Sequence, residues 1–457
     1  MPPGARVAIQ LPDPVDYAAA LIGVVAAGRI AVPLDPAAPA AETSRVLGVA
    51  RPAAVVGSSP AAGSPLRHSV DGLDVLPLIQ PPGDVAESGS VASPGASAGA
   101  GAGDPGTRGS GGIFLCTSGS TGTPKGIVLS EGQLCHVAAS VASAHRLTPA
   151  DRGYCSLPLF HVNAEVVGLL ATLRAGACLV LDSKFSRRRF WPVINERRIT
   201  WVNAVPAIIT VLALEPAGVR APRRVRFVRS ASAPLPPSVL LRFESAFGVP
   251  VVETYGMTEA ASMITANPLD GPRKPGSAGR PAGTELRVVP AAGSGADRCP
   301  PGEVGRVQIR GRGVITEYAS GGRPGVIDAE GWLDTGDLGQ LDGDGYLFLA
   351  GRSDDVINRG GEKIYPREIE DFLLAQPGVQ AAVVVPIPDD VLGQRPVAYV
   401  VPAWQGAEVA EALHKACDAG LPRHKHPDPI HVVAELPTGP TGKVARKALR
   451  ELAHAGT

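Results

Sequence analysis

Neither sign of charge is in excess in this 457-residue chain, which sets 43 Lys+Arg against 43 Asp+Glu. A balanced surface of that kind gives no net field to attract nucleic acid or an anionic membrane. No two of the six cysteines (116, 135, 155, 178, 299 and 417) stand at CxxC spacing. They read as reduced, mostly buried thiols, which favours the cytoplasm over secretion. The opening Met1-Pro-Pro-Gly-Ala-Arg6 has no apolar signal-peptide core. Long apolar runs are also missing: residues 166–173 are among the longest, and Arg174 breaks them far short of a membrane span. No internal repeat is present. At this length two or more domains are expected.

What is there alternates between strand and helix signals. Residues 7–11 read as a strand, 16–27 as an amphipathic helix ended by Gly28, and 30–34 and 53–56 as strands around a helix at 39–50. Such alternation predicts α/β architecture, a mainly parallel sheet covered on both faces. Residues 82–112 have too few large apolar side chains to bury and read as a surface loop. Beyond them come a helix at 131–145, strands at 178–181 and 201–205, and a helix at 236–246 capped by Gly248. Shorter strands with Gly-rich turns occupy 280–350, and a last βα segment runs from Arg352.

The most informative stretch is Thr117-Ser-Gly-Ser-Thr-Gly-Thr-Pro-Lys-Gly126, directly after an apolar run at 113–116 that reads as a buried strand. Gly119 and Gly122 let the backbone turn tightly and approach a ligand. Backbone N–H groups and the hydroxyls of Thr117, Ser118, Ser120, Thr121 and Thr123 can cradle phosphate oxygens, and Lys125 adds a positive charge. A Walker loop is excluded, because Pro124 precedes the lysine and Gly126 follows it. By composition alone the stretch is also the ordered end of a flexible linker.

Residue by residue, the decapeptide resembles the phosphate loop of the adenylate-forming superfamily: acyl-CoA synthetases, peptide-synthetase adenylation domains and luciferases. Further matches follow in that family's order. Pro158-Leu-Phe-His-Val-Asn163 places His161 and Asn163 at the acyl pocket. Arg229-Ser-Ala-Ser-Ala-Pro-Leu235 is similar to the turn beside the adenine, with Ser232 where most relatives carry glycine. In Glu253-Thr-Tyr-Gly-Met-Thr-Glu259, Tyr255 offers an aromatic face and Gly256 a close approach for the acyl carboxylate. Thr258 can bond phosphate there, and Glu259 is a hard oxygen ligand suited to Mg²⁺. Asp337 can accept both ribose hydroxyl protons, and Arg352 can donate to ribose or phosphate oxygens. Asp354 matches the hinge, Gly360 and Gly361 leave room for a pantetheine arm, and Lys443 matches the lysine that reaches the substrate carboxylate and α-phosphate.

The resemblance implies a large N-terminal portion (1–351) of packed α/β subdomains and a small mobile α+β lid (352–457). It implies an ATP- and Mg²⁺-dependent ligase that makes acyl-AMP and passes the acyl group to coenzyme A. Lys443, Glu259 and Lys125 are then the catalytic residues, and Glu259 and Thr121 the metal ligands. Two alternatives stay open: an enzyme that loads the phosphopantetheine thiol of a carrier protein, and a non-catalytic binder on the same fold. Family members carry a few dozen residues ahead of the strand at Val7, so the expectation is a trimmed protein or a late-assigned start. Residues 190–276 are similar to the oxalyl-CoA synthetase branch, which has His at the positions of Asn163 and Ser262. Neutral side chains there leave a substrate dianion less compensated, so the expected acid is a small to medium monocarboxylate in preference to oxalate.

Overall fold

The computed structural model describes residues 1–57, 74–76, 111–118, 124–216, 218–291, 297–322, 324–403, 409–437 and 444–455. Most of the loop expected at 82–112 therefore lies outside the described residues, and Gly112 already opens a strand.

The N-terminal βαβ signals fold as read. β1 (Arg6–Gln10) pairs in parallel with β2 (Ile30–Pro33) and β3 (Ala54–Gly57). Helix α1 (Pro14–Ala26) starts because Asp13 accepts the backbone N–H groups of Val15 and Asp16. It stops at Ala27 and Gly28, the latter at φ 70°. α2 (Ala40–Ala50) crosses to β3. β4 (Asp74–Leu76), β5 (Gly112–Ser118) and β6 (Pro124–Ser130) complete a sheet of order β4-β3-β1-β2-β5-β6. Only the last pair, β5 with β6, is antiparallel.

α3 (Glu131–Ala144) begins with a reciprocal cap between Ser130 and Gln133 and leads into the second sheet. That sheet holds β7 (Arg152–Cys155), β8 (Cys178–Leu181), β9 (Trp201–Ala204) and β10 (Phe227–Ser230). β11 (Val251–Met257), β12 (Ser262–Ala266) and β13 (Arg280–Pro281) extend it in the order β13-β12-β11-β10-β9-β7-β8. The centre is parallel and covered by α4 (Arg187–Glu196), α5 (Pro206–Ala213) and α6 (Pro237–Phe247). Strands buried on both faces should be apolar throughout. Asn203, Arg229 and Glu253 break that rule while each stays buried, and two of the three lie at the site described below.

β14 (Glu285–Val289), β15 (Gly305–Arg310), β16 (Leu333–Leu341) and β17 (Leu347–Arg352) form an antiparallel sheet, so the mainly parallel character belongs to the first two sheets. Arg352, expected to open the small domain, is the last residue of β17 and pairs with Asp337. The remainder builds on β18 (Ile357–Arg359), β19 (Glu362–Ile364), β20 (Val379–Asp389), β21 (Gly393–Pro402) and β22 (Ile430–Val432). α7 (Pro366–Leu374), α8 (Val409–Gly420) and α9 (Arg446–Ala455) pack on it. Its two apolar clusters draw every member from Ile357 onward, so this unit buries a core of its own. No helix among the described residues is long and apolar enough to cross a membrane.

Candidate active site

β11 is the spine of the site. Its first four residues are buried, and its pairing with β12 slips at Tyr255 and Gly256. A Cβ on Gly256 would stand 1.4 Å from the carbonyl oxygen of Ser262, so no other residue fits without moving β12. Ala261 and Ser262 turn the chain back with φ of 49° and 102°. Between them and β11 a single 3-10 turn, Thr258–Ala260, holds Thr258 half-buried and Glu259 buried. Thr258, Glu259, Gly256 and Ser262 are thus neighbours at one strand end, where α/β sheets bind ligands.

Asp337, distant in sequence, meets Tyr255, and Arg352 meets Asp337. The Tyr255 hydroxyl donates to Asp337 Oδ2 at 2.5 Å. Arg352 Nη1 donates to Asp337 Oδ1 at 3.1 Å and to the Thr335 carbonyl at 3.0 Å. Burial, reinforced by the Asp337 charge, raises the Tyr255 phenol well above its ordinary range, so it remains a donor at neutral pH.

The phosphate stretch is a hairpin. Thr117 pairs with Lys125 and Ser118 with Pro124, and Gly119, Ser120, Thr121, Gly122 and Thr123 lie outside the described residues. Lys125 Nζ lies 5.2 Å from the centre of the Tyr318 ring, and the Tyr318 hydroxyl donates to Glu259 Oε1 at 3.0 Å. Gly126 explains how Tyr318 comes so near. Its N–H donates to the Ser320 carbonyl at 3.0 Å, its carbonyl accepts from Ala319 at 2.9 Å, and a Cβ would meet the Phe114 ring at 2.7 Å. Sequence reasoning missed Tyr318, a lone tyrosine in a turn-rich segment with no periodicity to mark it. Lys443 lies outside the described residues.

On the acyl side, Pro158–Val162 delivers the half-buried His161 to the start of a π-helix, Asn163–Leu170. Wide turns of this type are frequent at functional sites. Asn163 is its first residue, and Asn163 Nδ2 donates to Ser232 Oγ at 3.0 Å. Behind it sits the fully buried Arg229, whose Nη1 donates to Asn163 Oδ1 at 2.6 Å and Asn203 Oδ1 at 2.9 Å. Desolvation lowers the Arg229 guanidinium to about 9, which still leaves it charged at neutral pH. Among the described residues no carboxylate forms an ion pair with it. Arg229 projects from β10 to stand directly behind Asn163, a cation that the neutral side chains at 163 and 262 did not announce. Ser232 itself is exposed and holds φ 74°, a strained backbone for a residue with a Cβ.

Glu165, also on the π-helix, is fully buried and receives a hydrogen bond from Tyr17 of α1 at 3.3 Å. Burial pushes its carboxyl up to about 8, with the Tyr17 hydrogen bond acting in the opposite sense.

In the small unit, Gly360 and Gly361 form the two-residue turn between β18 and β19, with φ of 61° and 93°. Gly361 N–H donates to Asn358 Oδ1 at 3.1 Å, and a Cβ on Gly361 would meet nothing within 4 Å. Asp354 is exposed in the 3-10 turn Ser353–Asp355, whereas its neighbour Asp355 is tied to Arg450 of α9.

Known proteins are similar to this chain in sequence and in fold. Residues 1–319 match the AMP-binding enzyme family, and residues 368–443 match the AMP-binding enzyme C-terminal domain. The chain is 39% identical to a sulfoacetate–CoA ligase of Cupriavidus necator, over 99% of this chain and 88% of that protein. It is 34% identical to an oxalate–CoA ligase of Arabidopsis thaliana, over 98% of this chain and 88% of that protein. The crystal structure of ATP-bound MatB from Rhodopseudomonas palustris superposes with a TM-score of 0.85 at 28% identity, covering 99% of this chain and 89% of that one. The chain therefore belongs to the AMP-binding enzymes, in their acyl-CoA synthetase branch.

Proposed function

We propose that the chain activates a small carboxylic acid with ATP as an acyl-adenylate and then transfers the acyl group to coenzyme A. The observation that carries this reading is the convergence at the end of β11: Tyr255 joined through Asp337 to Arg352, and Glu259 joined through Tyr318 to Lys125. In the first half-reaction a carboxylate oxygen attacks the α-phosphorus and pyrophosphate leaves. Asp337 and Arg352 hold the ribose, Tyr255 packs on the adenine beside Ser232, and the stretch 117–125 with Thr258 holds the phosphates. Lys443 offsets charge as the carboxylate and α-phosphate close on each other. Then the thiol of coenzyme A attacks the mixed anhydride and AMP leaves. For that step the small unit (352–457) swings on Asp354 and offers the Gly360–Gly361 turn to the pantetheine arm.

Among the described residues no three His, Cys, Asp or Glu side chains gather as a metal cluster. A single buried carboxylate, Glu259, fits Mg²⁺, which takes one or two protein oxygens together with substrate phosphates and water; Thr121, outside the described residues, would supply the second oxygen. When bound it neutralises phosphate charge.

For the acid, the Arg229–Asn163–Ser232 chain supports one that carries a second acidic group beside the reacting carboxylate. Arginine only donates, so the Asn163 oxygen faces it and the amide N–H₂ faces Ser232. With its oxygen engaged as an acceptor, the Ser232 hydroxyl proton is left to donate to a substrate oxygen. An anion near a buried guanidinium that no carboxylate among the described residues neutralises relieves a costly charge. The acids named for the two ligases above, sulfoacetate and oxalate, each carry two acidic groups. His161 and Ser262 line the same side, and Gly256 admits the reacting carboxylate.

The test is a panel of mono- and diacids with ATP, Mg²⁺ and coenzyme A, following AMP and acyl-CoA by liquid chromatography. Preference for a diacid or sulfonated acid supports the assignment of Arg229. A monocarboxylate as best substrate by a wide margin removes it and leaves the ligase reading intact.

A further inference from the structure

The geometry assigns Tyr318 as a positioning residue that keeps the phosphate-stretch lysine and the proposed metal carboxylate apart and aimed. It rests on the reading of Lys125 and Glu259 given above. Lys125 and Glu259 carry opposite charges and converge on one tyrosine from opposite ends of the site. In a half-buried setting two such groups attract strongly, and a direct ion pair between them would quench both. Among the described residues that pair does not form. Instead the ammonium lies over the Tyr318 ring at 5.2 Å, within cation–π reach, and Glu259 Oε1 takes the Tyr318 hydroxyl at 3.0 Å.

One side chain thus satisfies a cation with its face and an anion with its edge. The hydroxyl occupies one carboxylate oxygen and fixes the rotamer, which turns the remaining lone pairs of Glu259 to a metal-bearing ligand. The ring holds the lysine without a competing anion or carbonyl, so N–H donors pointing away from the ring stay available for phosphate oxygens. Tyr318 is itself held in place by the backbone: residues 319 and 320 pair with Gly126, one position after Lys125. The tyrosine therefore moves with the lysine it supports.

The two halves of the role separate in two variants. Tyr318→Phe keeps the ring and loses the hydroxyl; Tyr318→Leu loses both. ATP binding is measured by calorimetry, first in EDTA and then across a Mg²⁺ titration, with the melting temperature of each variant recorded. Removing a hydrogen bond from a metal-ligating carboxylate costs about tenfold or more in metal affinity. The Phe variant is therefore expected to need about tenfold more Mg²⁺ for half-maximal enhancement while binding ATP in EDTA like the parent. The Leu variant should show the same metal defect and, in addition, several-fold weaker ATP binding in EDTA. A merely structural role would weaken both equally in both variants, and that result overturns the proposal. So does a Phe variant within twofold of the parent in Mg²⁺ requirement. Should the Leu variant not fold, the Phe change in a Glu259→Gln background decides: no further effect of Phe supports the coupling, and an undiminished effect overturns it. A parent whose ATP binding ignores Mg²⁺ overturns this proposal together with the assignment of Glu259, whereas failure of Phe alone leaves that assignment standing.

Discussion

Arg229 Nη1 lies 2.6 Å from Asn163 Oδ1, so a buried guanidinium rests on the amide that opens the acyl-side π-helix. Asn163→Asp would place a carboxylate against that cation and neutralise it. Expected is a fall of tenfold or more in kcat/KM for acids with a second acidic group, with matched monocarboxylates little affected. A selectivity ratio unchanged from the parent would show that Arg229 has no say in the choice of acid.

Tyr255 and Asp337 share a 2.5 Å hydrogen bond, and a bond to a charged group contributes about 1.5–3 kcal/mol. Tyr255→Phe should raise the ATP KM by about tenfold or more, as that energy implies, and leave the KM for coenzyme A near its parent value. Equal losses for both substrates would mean that the pair shapes the whole site rather than the nucleotide side.

Two glycines should behave oppositely. Gly256→Ala drives a methyl into the Ser262 carbonyl, so loss of soluble folded protein is expected. Gly361→Ala meets no atom within 4 Å and bears only the strain of φ 93°, about 1–2 kcal/mol. Thermal melts report both directly; a Gly256→Ala protein that melts like the parent would contradict the β11–β12 geometry.

The buried Glu165 predicts a pH dependence. Its carboxyl is raised in the fold from an ordinary 4.5 to about 8, so between those values the folded chain binds more protons than the unfolded one. Stability contributed by this group is greatest at low pH and declines as pH rises through that window, by at most about 1.4 kcal/mol per pH unit. Glu165→Gln should flatten the decline of the melting temperature between pH 5 and 8. Parallel pH curves for variant and parent would place the proton elsewhere.

Much of this was legible in the sequence because it is local. Helix stops at Gly28 and Gly248 and the apolar runs of β1, β2 and β9 follow from nearest-neighbour chemistry, whereas the cap at Asp13 starts α1 at Pro14, ahead of the expected 16. The stations at 255–259, 337 and 352 were legible as words, and the fold adds that Asp337 joins Tyr255 to Arg352. Tyr318, Tyr17 and the reach of Arg229 were not legible. Each acts through a partner far along the chain, Glu259, Glu165 and Asn163 respectively, and pairings of that kind are decided by strand order and not by any local pattern. The π-helix also escaped, since its apolar residues read equally well as an ordinary helix.

The most direct test of the account is product stoichiometry. Purified protein is given ATP, Mg²⁺, coenzyme A and the best acid of the panel, and AMP, ADP, pyrophosphate and acyl-CoA are quantified together. The account predicts AMP, pyrophosphate and acyl-CoA in equal amounts, acyl-CoA appearing only when all three substrates are present. Formation of ADP and phosphate instead, or no acyl-CoA from any acid under conditions where ATP binds, would contradict it.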